Sequence, residues 1–253
     1  MSGTGSIERD GLTITHDDRG DGPAVVLLHG IGGGCATTFG ANGWYEAFAA
    51  AGRRTIAVDA RGRGESSAVS DPTLLTGRPA AGDLVATLDA LGVGRADVVG
   101  FSMGAGHALA LAAATPDRVG RLALIGCNGL ALAAAGFFRL TARHSRVGLE
   151  SAHAFLRPAI GGASPEAAAY VDAQFEAWAA DDLRAVELPA GERLLFVTGS
   201  EDSTEDGFAA LETASDLAQR AGAAHLVVEG ADHVGAAADA DAMADTVTVL
   251  IGG

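Results

Sequence analysis

The chain contains no lysine, and arginine supplies all 17 of the basic residues among its 253. With 32 acidic residues the formal net charge is −15, which would repel nucleic acid and anionic membrane surfaces. The two cysteines, Cys35 and Cys127, belong to no CxxC or Cys/His pattern, which argues against a disulfide framework or a structural zinc site. Apolar runs of membrane-spanning length are absent, and residues 1–10 lack the pattern of a signal peptide. We therefore expect a cytoplasmic protein, monomeric or homodimeric, that binds neither nucleic acid nor membranes.

The chain does contain enough apolar material for one sizeable core, since 48% of its residues are hydrophobic. Short β-branched runs alternate with Ala/Leu stretches that have helical spacing. Nearly continuous apolarity is typical of strands buried on both faces, so these runs predict a parallel sheet between two layers of helices. Two further short strands are expected within residues 5–20, which makes a mostly parallel α/β sheet of about eight strands. The predicted parallel strands are Ala24–Leu28, Thr55–Val58, Asp97–Val99, Leu122–Ile125, Leu194–Val197 and His225–Val228, and the predicted helices are 42–51, 78–91, 103–115, 207–221 and 239–250.

The alternation of strands and helices is interrupted between residues 128 and 190. This stretch has helical patterning and no convincing strand, so we expect a short helical cap inserted into a core formed by 1–127 and 191–253. A cap at this position would cover the carboxyl edge of the sheet, where open α/β sheets bind ligands. The aromatic residues of this stretch could line a pocket or form the small core of the cap itself; they are Phe137, Phe138, Phe155, Tyr170, Phe175 and Trp178.

A G-x-S-x-G pattern occurs between a predicted strand and a predicted helix, at Gly100-Phe101-Ser102-Met103-Gly104. A serine at such a sharp turn has a strained backbone, and only glycine two positions away on either side lets the chain fold so tightly. The turn exposes the hydroxyl of Ser102 at the edge of the sheet. This context predicts that Ser102 is a nucleophile.

These features resemble the α/β-hydrolase fold superfamily, in particular its esterase-like and lactonase-like members with a serine nucleophile. The resemblance covers nearly the whole chain and is weakest in the cap. Three more motifs carry it, in the family's order. They are Leu27-Leu28-His29-Gly30-Ile31-Gly32-Gly33-Gly34, Asp59-Ala60-Arg61-Gly62-Arg63-Gly64-Glu65-Ser66 and Gly199-Ser200-Glu201-Asp202.

A serine nucleophile needs an adjacent base, and that base needs an orienting carboxylate. The resemblance implies the chain order serine, acid, histidine. It points to His233, in a loop after the last strand, and to Asp202, just after the preceding strand. His107 is a rival base, although helix geometry would turn it away from the hydroxyl of Ser102. The rival acids are Glu201, Asp206 and Asp232.

The resemblance also implies an oxyanion hole formed by the backbone amides of Met103 and Ile31, with Gly32 as a fallback donor. His29, Asp59 and Arg61 are interpreted as supports of their loops. The acyl-transfer mechanism implies no metal or organic cofactor. The glycines at 32–34 are not expected to form a phosphate cradle, because no G-K-[ST] follows them and the chain has no lysine. The pocket for a small-molecule substrate is expected under the cap, lined in part by Gly32, Trp44, Met103, Phe137, Phe138, Phe155 and Trp178.

The predicted function is hydrolysis of a small or mid-sized, largely apolar carboxylic ester, lactone or thioester through an acyl-enzyme. Serine at position 102 argues against the dehalogenases and epoxide hydrolases of the superfamily, which have aspartate there. Three alternatives stay open. A relative with the same triad can cleave carbon–carbon bonds or act as a perhydrolase. The fold can also serve a cyclase or lyase of secondary metabolism, or a ligand receptor.

Overall fold

Among the described residues, eight strands form one central sheet in the computed structural model. The strands are β1 (Gly3–Arg9), β2 (Leu12–Arg19), β3 (Ala24–Leu28), β4 (Arg54–Val58), β5 (Ala96–Phe101), β6 (Val119–Ile125), β7 (Leu194–Gly199) and β8 (Ala224–Val228). Their order across the sheet is β1-β2-β4-β3-β5-β6-β7-β8. From β3 to β8 all pairings are parallel, whereas β2 pairs antiparallel with both β1 and β4. The predicted fold class is confirmed. The structure describes residues 3–127, 173, 174, 177, 180, 187–202 and 210–252.

Helices cover both faces of this sheet. Successive residues of β3 belong to different hydrophobic cores, since Val26 and Leu28 contact one core and Val25 and Leu27 the other. This is why the strand sequences are apolar without interruption. The first core is closed by α2 (Gly77–Ala90), α3 (Met103–Ala114) and α4 (Ala210–Ala221), and the second by α1 (Trp44–Ala50), α5 (Gly235–Ala238) and α6 (Ala240–Ile251).

The loop after β3 departs from the sequence-based expectation. A helix was expected over 42–51, but residues Ala36–Gly40 form a short π-helix and α1 begins only at Trp44. The residue before it, Gly43, has φ 79°, a left-handed conformation that separates the two helical segments. The extra π-helical turn lies beside the cavity described below.

The boundaries of the predicted cap remain a prediction, because most of 128–190 lies outside the described residues. Four of the expected pocket residues lie there too: Phe137, Phe138, Phe155 and Trp178. Of the cap segment, Gln174 is described and is buried. Within the described ranges, each helix is too short or too polar to cross a membrane.

Candidate active site

Ser102 lies at the turn between β5 and α3, with φ 54° and ψ −114°. Its amide donates to the Ile125 carbonyl oxygen at 2.8 Å, which fastens the turn to β6. A Cβ at position 104 would collide with the Leu28 carbonyl, and one at position 100 would collide with the Gly104 carbonyl. The two glycines of the pentapeptide are therefore required for the close passage of α3 over β3 and β5.

His233 and Asp202 lie within hydrogen-bond distance of each other and of this serine. The Nε2 atom of His233 is 2.8 Å from Ser102 Oγ, and its Nδ1 atom is 2.6 Å from Asp202 Oδ2. Only 2% of Asp202 and 6% of His233 is exposed. Because an ionised carboxylate can only accept, Nδ1 donates to Asp202, and Nε2 is left to accept the serine proton. The three residues form a continuous hydrogen-bonded chain, in which Asp202 orients the ring and His233 faces the serine hydroxyl.

The position of the His233 ring depends on two residues that the sequence analysis did not single out. Gly126, directly after β6, has φ 58°, and a Cβ there would approach His233 Cε1 to 2.9 Å. On another side, the ring of Phe101 lies 5.2 Å from the imidazole, centroid to centroid. A glycine directly after a strand, such as Gly126, is a sequence signal that another group packs closely against the backbone. The sequence does not show that this group is the ring of His233.

The loop after β3 lies beside Ser102, since a Cβ at Gly30 would be 3.5 Å from the Cβ of Ser102 and Ile31 lines the same cavity as the serine. His29 is buried, its Nδ1 donates to the Gly30 carbonyl at 2.7 Å and its Nε2 accepts from the Ala60 amide at 3.0 Å. Burial lowers the pKa of His29, which favours the neutral ring that this pair of contacts requires. Across the described residues, the amides of Ile31 and Met103 donate to no carbonyl oxygen. The assignment of the two amides as oxyanion donors stays a prediction.

Asp59 ties this loop to the loop after β4. Its Oδ1 accepts from the Cys35 amide at 2.7 Å and its Oδ2 from the Glu65 amide at 2.9 Å. The carboxylate lies so close to Gly64 that a Cβ there would collide with it. Arg61 forms two hydrogen bonds of 2.6 Å with Asp83 of α2. Asp59 and Arg61 therefore support the two loops and do not contact Ser102.

A cavity of about 240 Å³ opens beside Ser102 and His233. Gly32 lines it, and so do residues that the sequence analysis did not name for the pocket. Thr37 and Thr38 belong to the π-helical turn, and Asn42 follows it. The fourth residue is Phe101, directly before the serine. The spacing of the π-helix, rather than any motif, brings the threonines to this wall.

Two expected pocket side chains do not line this cavity. Trp44 is buried in the core, its ring packs against Phe39 and Phe48, and its Nε1 donates to the Ala237 carbonyl at 3.0 Å. It belongs to the buried face of α1, which turns the indole toward the sheet. The side chain of Met103 is likewise buried, in the core that α2, α3 and α4 close.

The rival base and one rival acid lie in other surroundings. His107 is buried on the face of α3 that points away from the cavity of Ser102, and burial lowers its pKa to about 3. Asp232 accepts from the amides of Val234 and Gly235 at 3.1 and 2.6 Å and so caps the turn into α5. Glu201 is exposed, and Asp206 lies outside the described residues.

Known proteins are similar to this chain in sequence and in architecture. Residues 23–147 match the family model of the alpha/beta hydrolase fold. A 2-hydroxy-6-oxononadienedioate/2-hydroxy-6-oxononatrienedioate hydrolase of Burkholderia vietnamiensis is 42% identical over 133 residues, 48% of this chain and 43% of that protein. An epoxide hydrolase of Caballeronia sordidicola is 40% identical over 112 residues, 44% of this chain and 33% of that protein. The matches thus span less than half the length of these relatives. A solved hydrolase from Pseudomonas aeruginosa is 25% identical with a TM-score of 0.71, covering 99% of this chain and 98% of that one.

Proposed function

We propose that this chain, which belongs to the α/β-hydrolase fold superfamily, is a serine hydrolase that cleaves a carboxylic ester, lactone or thioester. The observation that carries the proposal is the hydrogen-bonded path from Ser102 Oγ through His233 to Asp202 at the wall of a cavity. A serine hydroxyl is a weak nucleophile at neutral pH, and this arrangement supplies the base it needs. Asp202 holds the imidazole in the tautomer that accepts at Nε2 and stabilises the imidazolium that follows.

Acylation begins when Oγ of Ser102 attacks the substrate carbonyl carbon while its proton moves to His233 Nε2. The carbonyl π electrons pass to oxygen, and the amides of Ile31 and Met103 donate to this oxyanion. Removal of one such donor costs about 10²–10³ in kcat, so the placement of these amides matters as much as the base. The intermediate collapses as the bond to the leaving group breaks, and Nε2 returns the proton to the leaving alkoxide or thiolate.

Deacylation repeats these steps with water. His233 takes a proton from a water molecule that attacks the acyl carbon, and Ser102 leaves with the proton from Nε2. A cavity of about 240 Å³ supports a small acyl group, and Thr37, Thr38 and Asn42 offer neutral hydrogen-bonding groups along one wall. No step requires a metal or an organic cofactor.

A fluorophosphonate probe tests the proposal directly, because such a probe reacts with an activated serine. We expect labelling of the wild type and none of Ser102→Ala, while the matched control Ser215→Ala, on the exposed face of α4, keeps full labelling. A wild type that stays unlabelled, or a Ser102→Ala variant that still labels, would overturn the assignment of the nucleophile.

Carbon–carbon bond hydrolysis is a second candidate, and the Burkholderia relative that is 42% identical favours it. The same serine would attack a ketone carbonyl, the carbon–carbon bond would break with its electron pair on the leaving carbon, and that carbon would take the proton from His233 Nε2. Comparison of p-nitrophenyl acetate, p-nitrophenyl butyrate, γ-butyrolactone and 2-hydroxy-6-oxononadienedioate as substrates decides between the two. A higher kcat/KM on the dienedioate than on every ester and lactone would replace the ester proposal by this candidate.

A further inference from the structure

Arg63 is a buried cation that contacts both the loop after β3, at Ile31, and the predicted cap segment 128–190, at Gln174. Its side chain lies in the loop after β4, and Arg63 is 8% exposed. Its Nε donates to the Ile31 carbonyl at 3.1 Å, and its Nη2 donates to Gln174 Oε1 at 2.9 Å. Its Nη1 donates to the Gly62 carbonyl at 2.8 Å, within its own loop. The planar guanidinium therefore connects three segments that are distant in the sequence.

Ile31 is held on both sides by side chains. The peptide group before it has its carbonyl, that of Gly30, bound by His29, and the peptide group after it has its carbonyl bound by Arg63. A trans peptide is planar, with N–H and C=O in opposite directions. The contact to Gly30 therefore orients the peptide that carries the Ile31 N–H, and the contact of Arg63 orients the next peptide, which carries the Gly32 N–H. The two peptides share the Ile31 Cα, so a shift of the peptide that Arg63 holds also displaces the Ile31 N–H.

Gln174 is the described residue that brings the cap segment to this arginine. Only 1% of it is exposed, and Oε1 faces Arg63. Its Nε2 is buried without a hydrogen-bond partner among the described residues. A buried amide with one group unpaired costs free energy, which makes the contact through Oε1 the polar interaction that holds this side chain.

We infer that Arg63 is a positioning residue that couples Gln174 of the cap segment to the oxyanion donor Ile31. The inference rests on the proposed function, because the direction of the Ile31 N–H affects rate only if an oxyanion forms there. Gln174 orients the guanidinium, and the guanidinium orients the Ile31 backbone. Loss of the Gln174 oxygen would therefore shift the guanidinium and, through it, the Ile31 amide that faces the reacting carbonyl. Gln174 itself would not contact the substrate.

The main test is Gln174→Met, which keeps the length of the side chain and removes its acceptor. We expect kcat for p-nitrophenyl acetate to fall about 10-fold with little change in KM, because the full loss of a donor costs about 10²–10³. Gln174→Glu keeps an oxygen for Arg63 and should retain kcat near that of the wild type. The matched control Gln219→Met, exposed on α4, should change neither constant.

A double-mutant cycle separates coupling from a general loss of packing. If Gln174 acts only through Arg63, Arg63→Met and the double variant with Gln174→Met should have the same kcat. Additive losses, or an unchanged kcat in Gln174→Met, would overturn the inference. Arg118→Met is the control for Arg63, since Arg118 also donates to backbone carbonyls, those of Gly94 and Val93, far from Ser102.

Amide hydrogen exchange of residues 30–34 provides a readout that does not depend on turnover. We expect faster exchange in Gln174→Met and wild-type exchange in Gln174→Glu, and equal exchange in both variants would contradict the coupling. A wild type that is not labelled by a fluorophosphonate would refute the proposed function itself. A labelled wild type whose Gln174→Met variant keeps full kcat refutes only the coupling.

Discussion

The backbone of Ser102 stores strain, and its release by glycine should stabilise the protein while abolishing activity. Ser102 has φ 54° and ψ −114°, a combination that a residue with a Cβ rarely adopts. Glycine reaches this region without a steric penalty. We expect Ser102→Gly to be more stable than Ser102→Ala, although both variants lack the nucleophile.

The comparison of these two variants isolates the backbone contribution. Both lose the 2.8 Å hydrogen bond between Oγ and His233 Nε2, so that loss cancels in the difference. A strained φ/ψ pair costs about 1–3 kcal/mol, and glycine loses about 0.5–1 kcal/mol through the greater entropy of its unfolded chain. The net effect is about 1 kcal/mol in favour of glycine, which corresponds to a rise in Tm of about 2–4 °C for a protein of this size.

Urea denaturation of the two variants measures this difference at 25 °C. Ala113→Gly, at an exposed position of α3, is the matched control and should lose about 1 kcal/mol, because glycine in a regular helix has no strain to relieve. If Ser102→Gly is no more stable than Ser102→Ala, the turn is not strained and the reasoning from the backbone angles is refuted.

Three further outcomes are expected. Asp202→Asn should fold normally and lose about 10⁴ in kcat, because the amide favours the wrong imidazole tautomer; a loss below about 10-fold would exclude Asp202 as the acid. Gly104→Ala should destabilise the protein by at least about 3 kcal/mol in urea denaturation, since the new Cβ meets the Leu28 carbonyl, and wild-type stability would contradict this packing. His107 has a folded pKa of about 3, below its unfolded value of 6.5, so the unfolded state binds its proton first and the free energy of unfolding falls as pH drops from 6.5 to 3. His107 contributes a slope of about 1.4 kcal/mol per pH unit to the free energy of unfolding, and His107→Leu should reduce the total slope by that amount. Identical slopes in both proteins would show that folding does not lower the pKa of His107.

Much of the fold could be predicted from the sequence, because a strand that is buried on both faces is apolar at nearly every position. The run Ala24–Leu28 is apolar at every position since its side chains alternate between two cores, and the structure has a strand with the same bounds. The turn at Ser102 was equally visible, because a steric requirement for glycine acts within five consecutive residues. The helix predicted over about 42–51 is present as Trp44–Ala50, whereas the π-helical turn Ala36–Gly40 was not predicted, since a π-helix has no simple sequence signal.

The composition of the cavity wall could not be predicted, because it depends on the directions of side chains in packed elements. Trp44 was expected at the substrate, but the hydrophobic face of α1 places it against Phe39 and Phe48. Asp232 adjoins His233 in sequence, yet the geometry of the tight turn directs its carboxylate to the amides of Val234 and Gly235. The aromatic type of Trp44 did not place it at the cavity, and the position of Asp232 next to His233 in the sequence did not bring its carboxylate to the imidazole.

The sequence by itself determined the order of strands and helices and the sharp turn at Ser102, because these depend on periodicity and on sterics over a few residues. The family resemblance pointed to His233 and Asp202, but only the tertiary structure placed them in one hydrogen-bonded chain with Ser102, and only it joined Ile31 to Gln174 through Arg63. Ser102 and His233 are 131 positions apart, and Arg63 and Gln174 are 111 apart. Contacts over such separations are set by how parallel strands align at one edge of the sheet, which no local pattern encodes.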